Sequence, residues 1–141
     1  MTTGRYILEH CACGKVRMAA RTVTRRYDEA LRPTGLRASQ FALLIAISID
    51  GAISISALAK QLGMDRSTLT RNLGPLVEQR FVTVGAEGWR RSRTLELTKT
   101  GMARLHEAIP LWENAQEALR RRLGNRNWKA AHEGLDNLIL T

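Results

Sequence analysis

The sequence has little sulfur and comparatively little acid. Only two cysteines, Cys11 and Cys13, occur in 141 residues, too few to staple a small secreted scaffold. No charged-then-apolar leader opens the chain, so export is not expected and the cytoplasm is the default location. The longest apolar run, Phe41–Ile49, falls well short of the roughly 20 residues of a membrane span and contains Ser48, so no membrane partner is expected. Repeats, low-complexity tracts and a Pro/Gly/Ser-rich linker are missing, which favours one domain. A Gly-rich phosphate loop, a paired-acid motif and a Cys-His nucleophile signature are missing too, so an enzyme is not expected. His10, Cys11 and Cys13 could begin a metal site, but no ligand-type spacing supplies His106, His132 or a carboxylate as a fourth donor. Neither a metal nor a cofactor is called for.

What is present is cationic. Twenty-two Lys+Arg face 13 Asp+Glu, a net charge of +9, and 18 of the cations are Arg. The apolar share of 44% is too high for a disordered basic tail. A chain of this length buries roughly 68–70% of its unfolded surface, so one core is within reach. A folded basic domain implies an acidic polymer or surface as its partner.

Punctuation at Pro33 to Gly35, Asp50-Gly51, Gly63, Gly85 to Gly88, Gly101 and Gly124 cuts the chain into pieces mostly of helical length. The first piece reaches Leu31 as one helix, with Val16, Ala20, Val23, Tyr27 and Leu31 at helical spacing. The second, about 38–49, is apolar nearly all round and reads as a central core helix. The third, 53–62, has Ser54 or Ser56 as its cap. The fourth runs from the N-cap Asp65 to about Gln79, with Pro75 expected to bend it. Two-residue alternation over 81–84 and 93–97, around a Gly-containing, Arg-rich stretch, predicts a β-hairpin. Thr98 caps a long helix that Pro110 is expected to kink. Asn125 or Asn127 caps a last one, striped by Trp128, Ala131, Leu135 and Leu138.

Helix, turn, helix, hairpin is the order of a winged helix-turn-helix. The expected fold class is mainly α with a small β-wing. In the fourth piece Leu69, Leu73, Leu76 and Val77 fall in one sector, and Ser67, Thr68, Arg71 and Pro75 fall opposite, flanked by Thr70 and Arg66. A buried stripe backed by hydroxyls and a guanidinium suits a major-groove recognition helix. Ser and Thr reach phosphates or base edges, and Arg bridges O6 and N7 of guanine. The bland alternative is an ordinary amphipathic surface helix. The neighbouring hairpin argues against it, because Arg90, Arg91 and Arg93 crowd a short turn with only Glu87 nearby. Such a turn repels itself unless an anion is close, as for a wing in a minor groove.

SISALAKQLGMDRSTLTRNLGPLVEQRFV, then WRRSRTLELTKTG, together with GLRASQFALLIAI, resembles the MarR (multiple antibiotic resistance regulator) family of transcription regulators from about Leu31 to Gly101. The resemblance implies a homodimeric winged-helix regulator, expected to be a repressor, on a palindromic operator in double-stranded DNA. The winged core would span 36–98, and helices 5–32 and 99–141 would form the dimer region. It places Ser67, Thr68, Thr70 and Arg71 at the major groove and makes Arg91 the wing-tip Arg. It also implies a pocket between dimer region and winged core for a small aromatic or phenolic effector, where Arg37, Tyr27, Phe41 and Trp112 would supply a cation and aromatic walls. The chain departs from the family's pattern at Trp89, where an Asp usually precedes the tip Arg, and at Arg80, where Gly often ends the recognition helix. It departs again at Pro75, and at Arg37 in place of a Thr cap. The dimer has a further reason in the sequence. Leaving Trp112, Trp128, Leu135, Leu138 and Ile139 in water costs about 25 cal/mol per Å².

Two other functions stay open at this level. Cys11 and Cys13, beside His10, Lys15 and Arg17, suit a thiol-based redox sensor, Cys13 lying on the stripe of Val16 and Cys11 off it. A non-specific architectural DNA binder would share the basic charge without preferring one sequence.

Overall fold

The computed structural model describes residues 1–86 and 93–141 and is mainly helical, with one small sheet. The first predicted helix is in fact two. α1 (Gly4–His10) starts at Thr3, whose hydroxyl accepts from the Tyr6 N–H, and α2 (Ala12–Leu31) follows. The break falls at Cys11, whose backbone is extended at φ −65°, ψ 115°. The apolar stripe begins only at Val16, so no packing holds the chain helical across Cys11. Val23 and Tyr27 are half-buried and Leu31 is buried, whereas Cys13 and Val16 are exposed. Cys13 is therefore not the small buried hydrophobe that its place on the stripe suggested.

A 3₁₀ turn, Arg32–Thr34, and a left-handed Gly35 (φ 72°) lead to α3 (Ala38–Asp50). Arg37, at the cap position of α3, has no side-chain acceptor. Asp28 of α2 accepts from the Ala38 N–H at 2.7 Å, and Gln40 Oε1 accepts from the Arg37 N–H at 2.9 Å. α3 buries Phe41, Leu43, Leu44, Ala46 and Ile47, but Ile49 stays 69% exposed, so this helix is not apolar to the core on every side.

β1 (Ile53–Ser54) opens what the sequence pattern reads as a helix. α4 (Ile55–Leu62) begins only after Ser54, whose Oγ accepts from the Ala57 N–H at 3.1 Å, and ends at left-handed Gly63. α5 (Arg66–Glu78) continues through Pro75 and buries Leu69, Leu73 and Leu76, while Val77 is at the surface. β2 (Val82–Val84) and β3 (Thr94–Leu97) pair antiparallel with Val84 opposite Leu95, and β1 joins the other side of β3 with Ile53 also opposite Leu95. Leu95 is fully buried in the middle of this three-stranded sheet.

α6 (Lys99–Leu123) is capped by Thr98, which accepts from the Gly101 N–H at 2.9 Å and donates to the Arg80 carbonyl at 2.6 Å. It continues through Pro110. α7 (Asn125–Ile139) is preceded by Gly124 at φ 79°, so neither Asn125 nor Asn127 is its cap. Asn125 is already helical, and Asn127 Nδ2 donates to the Leu123 carbonyl. The core joins Leu31, Leu44, Ile47, Leu58, Leu69, Leu76, Leu95 and Leu105 under α5 and the sheet. α1 and α7 contribute nothing to it.

Candidate functional site

The apolar side of α5 fixes how its polar side faces. Leu69 and Leu76 are fully buried, and each such burial contributes about 1.5–3 kcal/mol. Arg66, Ser67, Thr70 and Arg71 are consequently exposed and Thr68 is half-exposed. The sequence-predicted residues of this helix thus share one outward surface.

Hydrogen bonds order that surface. Asp65 Oδ1 accepts from the Thr68 N–H at 2.7 Å and from the Ser67 hydroxyl at 2.7 Å. Arg71 Nη2 donates to Thr68 Oγ1 at 3.4 Å, and Thr70 Oγ1 donates to the Arg66 carbonyl at 2.8 Å. The Thr68 backbone N–H, then the Ser67 hydroxyl, holds the Asp65 carboxyl well below the usual range, at about 2, so it is ionised at neutral pH. Ser67 has given its proton to Asp65 and presents lone pairs outward, while the Thr68 hydroxyl lies between the Arg71 guanidinium, from which it accepts, and the Asp65 carboxylate, whose pKa it also helps to lower. The guanidinium of Arg71 lies among them, with donors enough for a base edge or a phosphate.

Arg80, just past α5, has φ 61°, the left-handed turn expected where the family pattern has Gly. Arg93 is exposed at the foot of β3, and its carbonyl accepts from the Ile55 N–H at 3.1 Å. Arg90 and Arg91, with Glu87 and Trp89, lie outside the described residues.

A cavity of about 620 Å³ opens between α2, α3, α4 and α6. Tyr27, Phe41 and Trp112 line it together, and the Phe41 and Trp112 rings stack at 6.2 Å between centroids. Trp112 thus packs half-buried on its own chain's core, rather than on the bare stripe that sequence reasoning gave it. Arg37 does not line this cavity. It borders a separate depression with Arg25, Asp28, Glu29 and Arg32. Arg37 starts α3, and the apolar side chains that turn toward the cavity lie further along that helix. Sequence reasoning missed Gln61 of α4 on the wall, and Gln116, which accepts a hydrogen bond from the Tyr27 hydroxyl. Burial pushes the Tyr27 phenol up from its ordinary value. It also missed Arg104, which donates to the Thr34 carbonyl at 2.8 Å and lies 5.4 Å over the Phe81 ring, tying α6 to the turn after α2 and to the start of the sheet. Nothing in helical periodicity marks such long-range polar ties.

Cys11 and Cys13 are free and exposed, one at the extended junction of α1 and α2 and one in the first turn of α2. Tyr6, Ile7 and Leu8 of α1 and Leu135, Leu138 and Ile139 of α7 are also exposed. No described helix is long and apolar enough to cross a membrane.

A sequence profile described as the MarR family matches residues 34–92. No curated protein matches the chain. Among solved structures, the M. tuberculosis transcriptional regulator MosR in complex with DNA is 39% identical, with 92% of this chain and 93% of that one covered and a TM-score of 0.83. A mutant MarR from E. coli complexed with operator DNA is 24% identical, with 94% and 96% covered and a TM-score of 0.83. The transcriptional repressor CouR, bound to a 23-mer DNA duplex, is 22% identical, with 99% of both chains covered and a TM-score of 0.84. These last two likenesses speak to the fold alone.

Proposed function

The chain belongs to the MarR family of DNA-binding transcriptional regulators, and from that premise we propose that it is a repressor that binds a palindromic operator as a homodimer and is released by a small aromatic effector. The observation that carries this is the outward face of α5, where Arg66, Ser67, Thr68, Thr70 and Arg71 stand on a buried leucine underside. Arg71 reads a base edge. Ser67 and Thr68 present short hydroxyl side chains to the groove beside it. Arg90, Arg91 and Arg93 of the wing bind the adjacent backbone or minor groove.

The homodimer is supported by α1 and α7, which bury nothing in their own chain yet expose Ile7, Leu8, Leu138 and Ile139. A two-fold pair covers them and sets two α5 helices about 34–36 Å apart, one turn of duplex. The cavity lies between α2 and α6 on one side and α3 and α4 of the winged core on the other, where a ligand can favour one spacing over another.

The test is selection of a binding site from random duplexes, then comparison of wild type with Arg71→Ala on the selected site and on random DNA. The wild type favours its site by about 10³ or more, and Arg71→Ala loses about 1–3 kcal/mol on that site only. Equal losses on both DNAs exclude base reading by Arg71, and no preferred site at all leaves a non-specific architectural binder.

A second reading rests on the junction at Cys11. Two free, exposed thiols straddle the start of α2, close to the exposed apolar face of α1, and their oxidation would alter that face. Operator binding is compared before and after mild peroxide in wild type, Cys11→Ser and Cys13→Ser. Identical binding in all samples removes thiol sensing.

A further inference from the structure

The cavity is not the one that the sequence pattern led us to expect, because none of the described residues lining it is charged. Its walls are aliphatic side chains such as Ile45, Leu62 and Ile109 around the stacked Phe41–Trp112 pair, and its polar side-chain groups among the described residues are the Tyr27 hydroxyl, the Gln61 amide and the Trp112 indole N–H. The cation assigned to it, Arg37, faces a different depression in the company of Asp28 and Glu29.

This changes which ligand the site can hold. A carboxylate entering these walls gives up its water and meets no counter-ion among the described residues, only the neutral N–H donors of Gln61 and Trp112. An unpaired ion in apolar surroundings is far more costly than an uncharged polar group that keeps one hydrogen bond. A neutral aromatic ring loses no such hydration, and it lays its faces against Phe41 and Trp112. The volume of about 620 Å³ admits one or two fused rings. The Tyr27 hydroxyl already donates to Gln116 Oε1, so its remaining capacity is to accept. That oxygen suits a ligand with a proton to give and has nothing to offer an anion.

We propose that the cavity takes an uncharged aromatic molecule bearing a hydroxyl or N–H donor, and rejects aromatic carboxylates of the same shape. Its consequence for DNA rests on the effector-gated repression proposed above. The binding preference itself does not.

The test uses the full chain and two rigid probes of matched shape, 2-naphthol and 2-naphthoate, titrated by calorimetry near neutral pH. A third probe, 4-nitrophenol, ionises near neutrality and so presents both charge states on one skeleton. 2-Naphthol is expected to bind at least about tenfold more tightly than 2-naphthoate, and 4-nitrophenol to weaken as pH rises through its own pKa. Ala42→Trp, a substitution at an exposed position on the cavity's rim, is expected to abolish naphthol binding while leaving the circular dichroism spectrum intact. Naphthoate binding as tightly as naphthol overturns the proposal, as does naphthol failing to bind the wild type. A 4-nitrophenol affinity that is flat or rising with pH overturns it without reference to any variant. Operator release is measured separately. Naphthol that binds with the expected preference yet leaves the operator bound supports the ligand class and excludes effector release.

Discussion

Two single positions show what the backbone around α5 and α6 tolerates. A Cβ on Gly101 would lie 2.1 Å from the Phe81 carbonyl oxygen and 2.8 Å from its carbon. The first turn of α6 therefore presses directly on the main chain that leaves α5. Gly101→Ala must push these elements apart, and its thermal unfolding is expected to report a loss of about 1–3 kcal/mol or more, as for overpacked cores. Arg80 is the opposite case. At φ 61° it pays the left-handed penalty that glycine avoids, with its N–H donating to the Val77 carbonyl. Arg80→Gly is expected to raise stability by up to about 1 kcal/mol in urea unfolding, provided that the arginine side chain adds no packing of its own. Unchanged or lower stability would mean that it does.

At the level of the element, three helix starts were readable, although those of α2 and α7 were not and Ser54 was one of two serines on offer. Asp65, Ser54 and Thr98 each precede an apolar stripe and each caps the helix that follows. The polar face of α5 was equally readable, because Leu69, Leu73 and Leu76 leave one direction for Ser67 and Arg71 to face. The features that escaped depend on distant partners. β1 is only two residues long and exists because Ile53 and Ser54 meet Leu95 and Thr94 some forty positions away. The start of α3 is satisfied by Asp28 from another helix, so Arg37 needs no capping side chain. The charge of the cavity depends on which way Arg37 leaves α3, and periodicity does not encode that direction.

One cap and one ion pair also carry a pH signature. Asp65 is lowered to about 2 chiefly by the Thr68 N–H, and Glu117 to about 2 chiefly by the hydrogen bond from Arg120, then that from Arg121. Folded values below unfolded ones mean that this stability is present above the unfolded value, near pH 4, and is lost as pH falls toward 2. Both groups are exposed, so the effect is modest and shrinks in salt. Asp65→Asn keeps a capping oxygen but cannot titrate. In acid unfolding followed by circular dichroism, its stability is expected to decline less steeply than that of wild type over that range. Parallel curves would show that the carboxylate's charge adds nothing to the cap.

For the molecule as a whole, the outer helices carry apolar surface that the core does not cover. Leu135 and Leu138 are 48% and 57% exposed on α7, a helix with no buried residue. Leu135→Glu combined with Leu138→Glu is expected to give a folded monomer in sedimentation velocity. Its affinity for the selected site should fall toward the non-specific level, about 10³-fold or more below wild type. A double variant that stays dimeric would move the interface elsewhere.

The seam where Gly101 abuts Phe81 makes a lever of α6. Its 25 residues span roughly 37 Å, with the winged core locked to one end and α7 continuing from the other. Pivoting such a rod by about 5° at the far end carries the near end through roughly 3 Å. A flat molecule wedged beside Ile109 and Trp112, midway along the rod, would be magnified about twofold at the tip, where in the proposed dimer a few ångströms would decide whether two protruding helices still match successive grooves.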